Sequence, residues 1–183
     1  RYGSSAASDV YKRQIQSPKA YLKSLKINSD AQPLRDGRLV HLSVLEPHKV
    51  KDLTIIDGSK ATKAFKQAVV ELGSANVYTR SEFNNANYIA ESVLKCNEIT
   101  SLLKGADFEV TEISMIDGLP FRGKADVLNG NAVIDLKTTG DITRFKWSAK
   151  NFSYDLQAAL YMKMFNVDAF IFVVIDKDTK DIM

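Results

Sequence analysis

Two acidic residues and one lysine lie in a short segment, at a spacing that allows them to act together. The segment FRGKADVLNGNAVIDLKTT carries Asp126, Asp135 and Lys137. On a strand, side chains at i and i+2 point the same way, so Asp135 and Lys137 share one face. The Asn129-Gly130 pair between two strand-like runs predicts a hairpin, which folds the strand carrying Asp126 back beside them. We therefore expect two carboxylates and an ammonium to converge at the end of a sheet.

Such a set suits metal-assisted hydrolysis of a phosphodiester. Mg²⁺ prefers hard oxygen ligands and usually takes one or two carboxylates together with waters and phosphate oxygens. The ion neutralises charge on the phosphoryl group and lowers the pKa of a bound water. A lysine nearby orients or deprotonates that water, or stabilises the charge that builds up on the phosphate.

An acid-x-Lys triplet on its own is weak evidence for such a site. The chain contains a second one, Asp178-Thr179-Lys180, in a polar run that we interpret as a solvated turn. The copy at Asp135 lies inside an apolar strand, where a charged pair is harder to dismiss. From the residues alone, a structural ion pair at a strand end stays an equally weighted alternative.

The elements that must position these residues follow from periodicity and from turn signals. Helices are predicted over 18–25, 39–45, 60–72, 81–104 and 153–165, and strands over 108–113, 121–128, 132–138 and 169–175. Asp117-Gly118 predicts a turn between the first two strands, and Cys96 is expected to be a buried, inert thiol. The order of helix, three-strand meander, helix and fourth strand predicts an α/β fold with a mixed central sheet flanked by helices.

Composition bounds the class of protein. A single cysteine excludes a disulfide framework, a Cys-rich zinc site and a four-Cys iron–sulfur cluster. The sequence contains no apolar run of about 18 residues and no signal-peptide pattern, so a cytoplasmic protein without a membrane segment is expected. Arg1, Lys12, Arg13 and Asp9 contribute +2 of the formal net charge of +3, so the overall charge does not by itself indicate a nucleic-acid binder.

The first residues are not expected to belong to the native domain. The run SSAASDVYKRQ is, codon for codon, what a transposase adapter used in sequencing libraries would encode. We therefore interpret 1–14 as an adapter-derived tail and 15–183 as a single domain. The chain stops directly after an apolar strand-like run, so a truncated C-terminus is also expected.

The pattern G-K-A-D, a short turn, V-I-D-L-K-T-T and then Y-x-x-Q-x-x-x-Y resembles the PD-(D/E)XK nuclease superfamily. Within it, the match is to the RecB- and RecE-like branch, which includes the lambda-type exonucleases of phage recombination. The resemblance implies a restriction-endonuclease-like core. It also implies that Asp126 and Asp135 bind the metal, with the Leu136 carbonyl as a further ligand, and that Lys137 is catalytic.

The resemblance extends to residues outside this segment. It implies that Gln157 and Tyr161 face the site and the DNA, while the role of Tyr154 on the same predicted helical face stays open. The run Gly37–His41 is similar to a G-x-x-x-H pattern in which the histidine is a metal ligand, which implies the same role for His41.

An acid on the first strand of related nucleases has two candidates here, Glu112 and Glu109. Basic residues interleaved with aromatics follow the third strand, in the run TRFKWSAKNF. Basic groups track phosphates and aromatic rings stack on unpaired bases, so this run predicts a DNA-binding surface. The alternative is that Trp147 and Phe152 pack under the site as hydrophobic anchors. The candidate DNA contacts are Tyr161, Lys124, Arg144, Lys146, Trp147 and Lys150.

The combined expectation is a Mg²⁺- or Mn²⁺-dependent DNA exonuclease of phage or prophage recombination that acts on linear duplex ends. The partners that the resemblance brings with it are a single-strand annealing protein and further copies of the chain in a ring. An endonuclease or junction resolvase on the same core is one alternative, and a catalytically inactive DNA-binding module is another.

Overall fold

The computed structural model describes residues 31–183, which divide into two compact units. The N-terminal unit runs to Asn97, and the C-terminal unit comprises Glu98–Met183. The predicted tail over 1–14 and the predicted helix over 18–25 lie outside the described residues. No helix in the described part of the chain is long and apolar enough to cross a membrane.

The N-terminal unit packs helices around a pair of short parallel strands, β1 and β2. Its elements are α1 (Gln32–Leu45), α2 (Pro47–Val50), β1 (Thr54–Ile56), α3 (Lys63–Leu72), β2 (Val77–Thr79) and α4 (Arg80–Lys95). Helices α1 and α4 bury their apolar faces, which carry Leu39, Val40, Ile89 and Val93. Strands β1 and β2 were not predicted, because runs this short carry no resolvable alternation.

Two predicted helices of this unit have different bounds in the structure. Helix α1 begins at Gln32 rather than at residue 39, since Pro33 is readily accommodated in a first helical turn. The helix predicted over 81–104 is two helices, because Cys96 adopts an extended backbone between them. Cys96 is partly exposed, so the expectation of a buried thiol was wrong.

The C-terminal unit is built on a four-stranded sheet in the order β3-β4-β5-β6. Its elements are α5 (Asn97–Leu103), β3 (Asp107–Ile116), β4 (Leu119–Asn129), β5 (Ala132–Thr139), α6 (Phe145–Asn151), α7 (Tyr154–Phe165) and β6 (Ala169–Asp176). Strands β3, β4 and β5 form an antiparallel meander, and β6 pairs in parallel with β5. The predicted α/β class and mixed sheet are confirmed. A short 3₁₀ turn and α6, which were not predicted, precede α7 in the crossover from β5 to β6.

Both hairpins of the meander use left-handed backbone positions. Asp117 and Gly118 have φ angles of 50° and 80°, as a type I′ turn requires. In the second hairpin Asn129 still pairs with Ala132, so the turn lies one residue later than predicted, with Gly130 at φ 54°. These tight turns fix which residues of β3, β4 and β5 lie opposite one another.

Strands β4 and β5 stay paired over a short distance and then diverge. Their pairing runs from Asn129 opposite Ala132 to Val127 opposite Ile134. Beyond that point β4 remains paired with β3, and β5 remains paired with β6. The fork between the two strands therefore opens at Asp126 on one side and Asp135 on the other.

Candidate active site

Asp126 lies in the fork and bonds to the backbone of the neighbouring strand. Its Oδ2 accepts a hydrogen bond from the Leu136 N–H at 2.9 Å, and its side chain is buried. Because the ladder has opened, the side chain takes a backbone donor that a β4 carbonyl would otherwise bind. This contact fixes Asp126 beside the β5 segment that carries Asp135 and Lys137.

Asp135 and Lys137 form a buried ion pair on β5. The Lys137 Nζ lies 2.5 Å from the Asp135 Oδ2, and the side chains are 10% and 1% exposed. Burial lowers the pKa of Lys137. The charge and hydrogen bond of Asp135, together with the charge of Asp126, raise this pKa by more than burial lowers it, so the pKa lies above its ordinary value. Lys137 therefore carries its proton at neutral pH.

Gln157 reaches the same carboxylate from the first turns of α7. Its Nε2 donates to the Asp135 Oδ1 at 2.8 Å, and the residue is buried. The Gln157 Oε1 has no hydrogen-bond partner among residues 31–183. A buried polar atom without a partner is costly and indicates a site that a water or another polar group would complete.

Tyr161 lies beneath the site rather than on its surface. It is 1% exposed, and its hydroxyl donates to the Lys124 carbonyl at 3.3 Å and accepts from the Lys124 N–H at 3.4 Å. Burial, together with the nearby charges of Asp135 and Asp126, raises the pKa of Tyr161 to about 12. The predicted DNA contact of Tyr161 is therefore corrected: this side chain supports β4, in the core with Ala125 and Val133.

The structure distinguishes the two candidate acids of the first strand. Glu109 adopts a left-handed backbone with φ 57° and lies with a carboxylate oxygen within 4.8 Å of one from Asp126. Glu112 pairs with Gly123 farther along β3. Lys124, one of the predicted DNA contacts, forms an ion pair with Glu109. Glu109 is thus a third carboxylate of the site, close to Asp126. The sequence alone had not favoured Glu109 over Glu112.

The basic and aromatic run after β5 is mostly exposed. Trp147 is 70% exposed, so it does not pack under the site as the alternative required, whereas Phe152 is 50% exposed and its ring stacks on Tyr154. Lys146 and Lys150 are exposed on α6, and Arg144 lies before it, paired with Asp141 at 3.3 Å.

The structure also describes two further predicted features. His41 is half-buried on α1 in the N-terminal unit. The second acid-x-Lys triplet begins at the exposed Asp178, in a turn whose N–H groups at Asp178 and Thr179 bond to Asp176. As expected, that triplet belongs to a surface turn.

The donor set of the C-terminal unit fits a hard divalent cation. Asp126, Asp135 and Glu109 offer carboxylate oxygens, which Mg²⁺ and Mn²⁺ prefer, and no thiolate is among them. Three carboxylates lie beside two ammonium groups, those of Lys137 and Lys124, and a divalent ion would offset the repulsion that remains among the carboxylates.

Comparison with known proteins agrees with this fold. Residues 7–181 match a family described as the PDDEXK-like domain of unknown function (DUF3799), and the chain belongs to that family. A crystal structure of a "Putative exonuclease" from Eubacterium rectale superposes with a TM-score of 0.67 at 18% identity, covering 96% of this chain and 70% of that one. No curated protein matches the sequence.

The family match confirms the predicted PD-(D/E)XK superfamily. The mixed four-stranded sheet and the superposition on the solved structure confirm the predicted restriction-endonuclease-like fold. The family match supports a nuclease that uses divalent metal ions, with DNA as the substrate, and the solved structure supports the fold.

Proposed function

We propose that this domain is a divalent-metal-dependent DNA exonuclease, with Asp126, Asp135 and Lys137 at the cleavage site. The observation that carries the proposal is the buried arrangement of these residues in the fork between β4 and β5, with Gln157 bound to Asp135. A role in phage or prophage recombination, on linear duplex ends, rests on the resemblance of the motifs. The name of the structural neighbour supports the exonuclease reading.

The residues divide the work between holding the ion and stabilising the reaction. Asp126, Asp135 and the Leu136 carbonyl would hold a Mg²⁺ or Mn²⁺ ion, with Glu109 as a further carboxylate. By the resemblance of Gly37–His41, His41 is proposed as another ligand. When bound, such an ion neutralises charge on phosphate oxygens and lowers the pKa of a water. Lys137 donates hydrogen bonds to the attacking water and stabilises negative charge on the phosphoryl oxygens.

We further propose that DNA passes along the exposed run around α6. The ammonium groups of Lys146 and Lys150 and the guanidinium of Arg144 contact phosphates, while Trp147 stacks on an unpaired base. Lys124 contacts a phosphate next to the site. A single-strand annealing protein and a ring of several copies are proposed partners on the resemblance alone.

The experiment compares linear duplex DNA with covalently closed circles, in Mg²⁺, in Mn²⁺ and in EDTA. We expect degradation of the linear duplex, dependence on the metal, and a loss of about 100-fold or more in Asp135→Ala and Asp126→Ala. Asp178→Ala is the matched control, since it removes the acid of the second acid-x-Lys triplet, and it should cleave like the wild type.

Three outcomes would revise the proposal. Equal activity of the wild type and Asp135→Ala would overturn the assignment of the site. Cleavage of the closed circle would identify an endonuclease or junction resolvase. Retention of DNA on a gel without cleavage in Mn²⁺ would identify an inactive binding module.

A further inference from the structure

The ammonium of Lys137 lies against two aromatic rings as well as against Asp135. Its Nζ is 5.0 Å from the ring centroid of Tyr154 and 6.0 Å from that of Phe172. The two rings stack on each other with centroids 5.4 Å apart and an interplanar angle of 28°. The face of an aromatic ring attracts a cation, and the attraction is stronger when the pair is desolvated.

Three different elements hold these rings in place. Phe172 on β6 lies opposite Asp135 in the parallel register, so its ring shares the face of the sheet that carries Lys137. Tyr154 is the first residue of α7 and follows Ser153, whose φ of 54° turns the chain between α6 and α7. Phe145 of α6 and Phe152 pack on the Tyr154 ring at 5.7 Å and 5.8 Å.

The rings supply a restraint on Lys137 that the carboxylate does not supply alone. A lysine side chain is a flexible four-carbon stem, and a catalytic group must be held near its productive position. In the proposed site the Asp135 carboxylate has two partners, because it would bind the metal ion as well as Lys137. The attraction of the aromatic faces for the Lys137 ammonium does not depend on whether Asp135 binds Lys137, the ion or both.

We propose that Tyr154 is a positioning residue that holds the Lys137 ammonium in the fork through the face of its ring, with Phe172 as the second wall. This inference rests on the proposed function and adds a residue to it. Because the role is assigned to the ring face, phenylalanine should replace tyrosine and a branched aliphatic residue should not.

The first test compares Tyr154→Phe, Tyr154→Leu and Phe170→Leu in steady-state cleavage of linear duplex DNA. Phe170 is the matched control, because its ring belongs to the same aromatic cluster but contacts Phe172 and Tyr161. Misplacing a catalytic group by about 1 Å costs on the order of 100-fold. We expect kcat to fall about 10- to 100-fold in Tyr154→Leu with KM nearly unchanged, and to stay near the wild-type value in Tyr154→Phe and Phe170→Leu. Wild-type kcat in Tyr154→Leu, or an equal loss in Tyr154→Phe, would overturn the inference.

The second test does not depend on cleavage. Ring currents displace the NMR signals of protons that lie over an aromatic face, so the ε-methylene protons of Lys137 should resonate upfield in the wild type. Their signals, assigned with Lys137→Arg, should stay upfield in Tyr154→Phe and Phe170→Leu and return toward the ordinary lysine position in Tyr154→Leu. An ordinary position in the wild type would refute the ring contact. Absence of cleavage with the upfield shift present would count against the proposed function alone.

Discussion

Asp135 is the residue on which the other groups of the site converge. One carboxylate oxygen accepts from Gln157 and the other pairs with Lys137, and the residue is buried. A buried carboxylate is tolerated only when hydrogen bonds and opposite charge offset its lost hydration. The orientation of Asp135 is therefore set by Gln157 and Lys137. Of these two, only Gln157 is uncharged, so replacing it leaves the net charge of the site unchanged.

We predict that Gln157→Ala weakens binding of Mn²⁺ about 10- to 100-fold, as expected when a residue that orients a ligand is removed. Calorimetric titration of the protein with Mn²⁺ measures the change without any cleavage assay. Gln67→Ala is the control, because the exposed Gln67 makes an equivalent side-chain hydrogen bond, to Glu71 on α3. Unchanged Mn²⁺ affinity in Gln157→Ala would show that Asp135 needs no such support.

At the scale of elements, Arg35 joins α1 to β2 and α4. The buried guanidinium donates to the Ser74 carbonyl at 2.8 Å, to the Val77 carbonyl at 2.6 Å and to Glu82 at 3.0 Å. Glu82 also closes a capping box with Thr79 at the start of α4. One buried ion pair therefore fixes a helix terminus and the end of a strand in the N-terminal unit.

We predict that Arg35→Ala lowers the free energy of unfolding by about 3–5 kcal/mol, because it leaves Glu82 without its buried partner. Arg80→Ala is the control, since the Arg80–Asp57 pair is exposed at 50% and 83% and pairs of that kind contribute at most about 1 kcal/mol. Chemical denaturation measures both variants. Equal losses would show that burial of the Arg35 pair contributes nothing extra.

The same pair makes stability depend on pH. Burial raises the pKa of Glu82. Hydrogen bonds from Arg35, Lys60 and Thr79 lower this pKa by more than burial raises it, so the pKa lies well below the ordinary value of 4.5. A depressed pKa in the folded state stabilises the fold above the unfolded pKa, and this contribution is lost as pH falls through the folded value. The wild type should therefore lose stability below about pH 4.5, and Glu82→Gln should lose less over that window.

At the scale of the whole molecule, the charge that would attract DNA is local. The formal net charge is only +3, and the predicted tail supplies much of it. The exposed cations around α6 lie beside the 70% exposed Trp147. Affinity for DNA should therefore depend on this one surface more than on the general field of the protein.

We predict that Trp147→Ala weakens binding of single-stranded DNA by about 1–3 kcal/mol, the range for loss of one stacked base. Lys146→Ala should instead reduce the salt dependence of binding by about one unit of slope. Fluorescence anisotropy over a range of salt concentrations measures both effects. Tyr88→Ala is the control, because Tyr88 is an aromatic residue that is 60% exposed on α4 and has no proposed DNA contact. Equal binding by Trp147→Ala and Tyr88→Ala would remove α6 from the path.

Short-range sequence patterns were enough to predict the parts of the site that depend on neighbouring residues. Alternation along a strand placed Asp135 and Lys137 on one face, and a turn-forming pair returned Asp126 to them. The helical repeat placed Tyr154, Gln157 and Tyr161 on one side of α7. These relations hold because backbone geometry over a few residues fixes where adjacent side chains point.

The exposure of those side chains, and the identity of the acid beside Asp126, depend on contacts that form in the folded chain. Tyr161 is buried under β4 and Trp147 is open to solvent, although both are aromatic residues in the same crossover. Glu109 rather than Glu112 lies near Asp126. The register of β3 against β4 and the left-handed backbone at Glu109 determine which acid takes this position. Burial and register arise from contacts between residues far apart in the chain, and the local pattern contains no record of them.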